Sequence, residues 1–158
     1  MNPLISIITP CYNASPFITQ TIESVLSQTY PYWEMLIVDD CSTDRSAEII
    51  QTYVERDTRI RYLRTENPSG SPSLPRNIGL QQAQGEYIAL DSDDAWFPNK
   101  LEEQVAFMEA YSYNFVYSDY EKMSWNGARA DRWIRVRSVS TYWDILESNE
   151  IPCLTVLL

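Results

Sequence analysis

At 158 residues with 44% apolar content, the chain has the length of one domain and enough hydrophobic material for a real core. A formal charge of −10 argues against nucleic acid or an anionic membrane surface as a partner, because both are held by clustered Lys and Arg. Three scattered cysteines (Cys11, Cys41, Cys153) and no histidine argue against a disulfide framework and a Cys/His zinc site. No apolar run approaches the roughly 18 residues of a transmembrane segment, and no leader pattern opens the chain. The expectation is therefore a cytoplasmic protein, or one peripheral at the inner face of the membrane in a longer parent, in which the Asn13-Ala14-Ser15 sequon has no role.

In chain order, Leu4 to Thr9 is a nearly continuous β-favouring run stopped by Pro10, as expected of a strand buried on both faces. Pro16 can start a helix in which Ile18, Ile22, Val25 and Leu26 recur at helical spacing, and Pro31 ends it. Trp33 to Val38 is a second apolar strand that runs into Asp39-Asp40-Cys41-Ser42-Thr43-Asp44, a set of possible N-caps for a helix carrying Ala47, Ile50, Tyr53 and Val54. Ile60 to Leu63 is a short third strand. The turn-rich Asn67 to Ser73 reads as a mobile loop, and Pro75 opens a short helix that Gly85 closes. Tyr87 to Leu90 is the fourth strand. Pro98 begins a helix with Leu101, Val105, Met108 and Tyr111 on one side, and Phe115 to Tyr117 reads as a fifth strand. Asn126-Gly127 signals a hairpin within Met123 to Val136, and Thr141 to Glu147 can be helical. Ile151 to Leu158 is strand-like and needs neighbours on its flanks, which suggests a truncated chain. Strand and helix alternating with short joins indicate an open, mostly parallel α/β sheet.

The most informative stretch is Tyr87-Ile88-Ala89-Leu90-Asp91-Ser92-Asp93-Asp94-Ala95-Trp96. Carboxylates held a few ångströms apart repel by roughly 3 to 4 kcal/mol per pair at an effective dielectric near 20, a cost that a hard cation such as Mg²⁺ or Mn²⁺ removes. As an EF-hand loop the stretch fails, because Ala95 and Trp96 replace an oxygen ligand and the glycine. An aspartyl-phosphatase pair Asp91/Asp93 would be expected after the first strand rather than the fourth. In an open parallel sheet ligands bind beyond the carboxyl ends of the strands. Three such loops should meet over one crevice: Pro10, Tyr12 and Asn13; Asp39 and Asp40; Asp91, Asp93 and Asp94. An aromatic face and a carboxylate acceptor beside a metal-binding acidic pair describe a nucleotide site. Each residue also has a plainer reading. Asp39 and Asp40 can cap the following helix, Tyr12 can be packing, Arg76 can form a surface ion pair, and the aromatics from Tyr111 to Trp143 can be hairpin or core residues.

The runs SIITPCYN, IVDDCSTD and PRNIGLQQAQGEYIALDSDDAWFPNKLEEQ, in this order, resemble family-2 glycosyltransferases of the GT-A fold over roughly residues 4 to 120. That resemblance implies a Rossmann-like GT-A sheet, incomplete on its C-terminal side, within a single domain spanning 1–158. Its nucleotide-binding part covers about 1–118, and an acceptor-side region starts at about 119. It further implies that Pro10 and Tyr12 flank a uracil or thymine, that Asp40 accepts from the base N3, and that Arg76 lies near the diphosphate or sugar. Asp91, Asp93 and Asp94 would occupy the DxD metal motif with Mn²⁺ or Mg²⁺. Asn13, Asp39 and Ser92 complete the expected nucleotide-binding set. The implied reaction is inverting transfer of a sugar from a UDP- or dTDP-sugar to a saccharide or lipid-linked acceptor. Glu147 and Glu150 match no family block, so the general base is expected outside this chain. The alternative is a nucleotide-binding fragment without transferase activity.

Overall fold

The computed structural model describes residues 2–124, 129–148 and 151–158. Strands β1 (Ile5–Cys11), β2 (Trp33–Asp39), β3 (Ile60–Arg64) and β4 (Tyr87–Leu90) form one parallel sheet in the order β3-β2-β1-β4. Every residue of β1 and β2 is buried, as continuous apolar runs at the centre of a parallel sheet must be.

Helices α1 (Ile18–Leu26) and α2 (Ser46–Val54) pack together on one face, over Ile5, Ile7, Met35 and Ile37. The chain reverses direction across the sheet after β3. Right-handed crossover therefore puts α3 (Ser73–Gln82) on the opposite face, against β1 and β2. Gly79 makes that contact possible: a Cβ there would lie 2.6 Å from the Ile8 side chain. Helix α4 (Lys100–Tyr111) returns to the first face, where the Gln28 side chain accepts from the Leu101 N–H and donates to Phe97 O.

Strands β5 (Tyr120–Met123) and β6 (Arg129–Ile134) pair antiparallel, while the expected Asn126-Gly127 turn between them and Glu150 lie outside the described residues. Helix α5 (Tyr142–Glu147) is capped by a reciprocal Thr141/Asp144 pair.

Three expectations need correction. Phe115 to Tyr117 is no strand: only Val116 bridges, to Leu157. Ile151 to Leu158 contains a 3-10 turn at Cys153–Thr155, after which Leu157 bridges Ala89 and Val116, so just the last two residues meet the sheet edge. Proline helix starts were also placed off by two residues. Pro16, Pro75 and Pro98 sit near starts at Ile18, Ser73 and Lys100, because local turns such as Ala14 O to the Phe17 and Ile18 N–H groups precede or reset the first full turn.

Candidate functional site

The loops leaving β1 and β2 are knitted together. Asn13, at φ +48°, accepts from the Thr43 and Asp44 N–H groups, while its own N–H donates to Ser42 Oγ. Ala14 N–H donates to Ser46 Oγ and Ser15 N–H to Asp44. Asp44 also accepts from the N–H and hydroxyl of Ser46, so it caps α2 from just outside the helix. Burial raises the Asp44 carboxyl, but these bonds outweigh it and hold the group at about 2. Asn13 thus works first as a loop clasp.

A cavity of about 460 Å³ opens beside this clasp, walled by Pro10, Tyr12, Asn13, Asp40, Ser92 and Asp93. Residues from all three strand ends therefore share one wall. Tyr12 is 60% exposed, which removes the packing reading and leaves a free aromatic face. Asp40, only 4% exposed, receives the Ser69 N–H at 2.9 and 3.0 Å, the Ser69 hydroxyl at 2.8 Å and the Thr65 hydroxyl at 3.0 Å. Burial opposes ionisation of Asp40, but these bonds and the Gly70 main chain together hold its pKa below the usual carboxylate value. The segment expected to be a mobile loop is tied down at Asp40.

Two expected nucleotide-binding residues stand apart from this cavity. Asp39 is turned away from it: it accepts from Ser42 N–H and, at 2.7 Å, from the Tyr62 hydroxyl, with Arg64 at 3.5 Å. Arg76 lies on the first turn of α3, next in sequence to the cavity-lining Pro75, and does not itself line the wall. Among the described residues it forms no ion pair, and its Nε is enclosed without a partner.

The acidic loop after β4 is the opposite of the clasp. Asp91 is fully buried and neither carboxylate oxygen closes a well-formed hydrogen bond, the neighbouring Ser92 N–H lying near it without the geometry of one. Burial, with repulsion from Asp94 and Asp93, pushes its pKa up to about 7 against the pull of Ser92 N–H and Lys100. Asp94 is raised by burial and then by Asp93. Asp93 is exposed and faces both the first cavity and a neighbouring one of about 570 Å³ that Asp94, Trp96, Phe97 and β5 help enclose. The three carboxylates do not converge on a ready-made ligand cage among the described residues. Their chemistry still fits Mg²⁺ or Mn²⁺, which are held by one or two carboxylates plus substrate oxygens, and the orphaned Asp91 oxygens mark a place where positive charge would be stabilised.

Sequence reasoning missed Lys100, Thr65 and Ser69. Lys100 opens α4, where the helix dipole disfavours a cation. Its Nζ sits 4.2 Å from the Trp96 ring centroid and bonds Gln104, while burial pushes its pKa down to about 7 despite the attraction of Asp91. That misplaced charge was the signal available in the sequence. Nothing local marks Ser69, which meets Asp40 only through the fold.

A parallel sheet in this order, flanked by helices and with its polar loops gathered at one edge, is a GT-A architecture. The family described as "Glycosyl transferase family 2" matches residues 6–152, and the chain belongs to that family. It is 46% identical over 157 residues to the putative teichuronic acid biosynthesis glycosyltransferase TuaG of Bacillus subtilis, covering 99% of this chain and 62% of that one. It is 40% identical over 156 residues to WfgD of Escherichia coli, a UDP-Glc:alpha-D-GlcNAc-diphosphoundecaprenol beta-1,3-glucosyltransferase, covering 98% of this chain and 60% of the relative. S. aureus TarS 1-349, solved in complex with UDP-GlcNAc, superimposes with a TM-score of 0.69 at 32% identity, over 77% of this chain and 34% of TarS. The chain thus spans about three-fifths of the length of TuaG and WfgD. No helix among the described residues is long and apolar enough to cross a membrane.

Proposed function

We propose that this chain forms the donor-binding part of an inverting, metal-dependent glycosyltransferase that uses a UDP- or dTDP-sugar and a saccharide or lipid-linked acceptor. The observation that carries the reading is the shared wall of the 460 Å³ cavity, where Tyr12, Asp40 and Asp93 come together from three strand ends. In this reading Tyr12 supplies a stacking face for the base and Asp40 accepts its N3–H. Asp93 and Asp94, with the unpartnered carboxylate of Asp91 beside them, would hold Mn²⁺ or Mg²⁺, and the cation would supply Lewis-acid neutralisation of the charge on the departing diphosphate. Asn13 and Ser92 keep the wall in shape, and Arg76 follows the cavity-lining Pro75 on α3. Asp39 fixes Tyr62 instead of touching the nucleotide. The sugar projects toward the 570 Å³ cavity, which Asp93 joins to the first and which opens onto β5, so the acceptor approaches from the region after residue 118.

The relatives support the donor class: WfgD is named for UDP-Glc and TarS was solved with UDP-GlcNAc. Titration calorimetry with UDP, with and without Mn²⁺, tests the core of the reading. Affinity that ignores the metal and survives Asp93→Ala would overturn it. Because the chain spans only part of its relatives, nucleotide binding without transfer is the second reading, and sugar transfer to an added acceptor by these 158 residues would exclude it.

A further inference from the structure

Asp40 poses an accounting problem for any base that must bind it. A carboxylate has about four acceptor positions. Here the Ser69 N–H straddles both oxygens, the Thr65 hydroxyl takes Oδ1, the Ser69 hydroxyl takes Oδ2 and the Gly70 main chain adds a fourth donor. With the group almost wholly enclosed, an incoming N3–H finds no open acceptor position, so one resident donor has to leave.

The same loop holds a way out. The Ser69 hydroxyl lies 2.8 Å from Asp40 Oδ2 and also 2.8 Å from the Ser71 carbonyl oxygen. One hydroxyl has one proton, so it can serve only one of these acceptors at a time. The Thr65 hydroxyl, in contrast, is buried beneath the loop, and the Ser69 N–H is fixed by the backbone. Of these donors, the Ser69 hydroxyl alone has a second acceptor at equal distance on the cavity side, since Ser71 lines the cavity wall.

We infer that Ser69 is a positioning residue for the base: its hydroxyl covers Asp40 Oδ2 in the free protein and turns to the Ser71 carbonyl when a ligand N3–H takes that oxygen. No buried polar group is left unpaired in either state. The exchange replaces a bond to a charged acceptor by one to a neutral acceptor, so ligand binding costs the difference. Bases without an N–H at that place gain nothing from the turn and meet a carboxylate already covered.

This rests on the reading of Asp40 as base acceptor, and the test separates the two. In titration calorimetry with Mn²⁺, Ser69→Ala should bind UDP about fivefold more tightly than the parent chain, because the competing charged bond is gone. The gain should be absent with 3-methyluridine diphosphate, which lacks the N3–H. Ser69→Thr, which keeps the hydroxyl, should restore parent affinity. Equal or weaker UDP binding by Ser69→Ala, with Asp40→Ala still impaired, overturns the role of Ser69 alone. So does an equal gain with the methylated analogue, which would point to loop loosening. Unchanged UDP affinity in Asp40→Ala overturns the base-acceptor reading and the inference with it.

Discussion

The two ends of the cavity are built on opposite principles. At the end formed by β1 and β2, polar groups answer one another: Asn13, Ser42, Asp44 and Ser46 form a closed set, and Asp40 is saturated by Thr65 and Ser69. At the β4 end a buried carboxylate closes no well-formed hydrogen bond at either oxygen, and two more lie within three residues of it. The first end is shaped before any ligand arrives. The second stores electrostatic cost that a ligand can relieve, as a site recruiting a cation should.

The contrast can be broken first by pH. Asp91 has a folded value near 7 against an ordinary 3.8, so the folded chain binds its proton more tightly. Metal-free stability should therefore fall as pH rises from about 4 to about 7, by about 4 kcal/mol at most. Urea titrations across that window check this, and Asp91→Asn should flatten the curve. Next in size, Asp93→Ala should remove the Mn²⁺-dependent part of UDP affinity, about a hundredfold, as read by calorimetry with and without the ion. Asp40→Ala should weaken UDP binding by about 2 kcal/mol, the worth of a bond to a charged acceptor, while circular dichroism shows the fold retained. The smallest effect belongs to Asp44. Its depressed value means stability is present above about 4 and lost as pH falls toward about 2; at this half-exposed group that amounts to about 1 kcal/mol, which Asp44→Asn should abolish in acid melting curves. Acid should thus loosen the β1–β2 end while relieving the β4 end.

Much of the sheet was legible because its centre is apolar on both faces. Leu4 to Thr9 and Trp33 to Val38 admit hardly any other reading, and the strand-helix alternation then sets the parallel order. The sheet edge was not, since Val116 and Leu157 pair through single bridges that no periodicity announces. Within the site, Asp39 and Asp40 look alike as sequence. They part only in the fold, where Asp39 at the end of β2 accepts from the Tyr62 hydroxyl and Asp40, the next residue, lines the cavity. The bond from Ser69 joins residues far apart in the chain. No local pattern encodes it.

The placement of β1 between β2 and β4 also dictates a sequence of events. Ile5 meets Trp33 across roughly 30 residues of chain but meets Tyr87 across roughly 80, a difference in loop-closure entropy of about 1 kcal/mol. The expected order of assembly has β1, β2 and β3 pairing first and β4 arriving last. In pulsed hydrogen exchange, amides of Met35 to Val38 should gain protection before those of Ala89 and Leu90. A chain in which β4 had not yet paired would have its Tyr12 and Asp40 loops shaped while the acidic loop was still unformed, so one end of the cavity would be complete before the other existed.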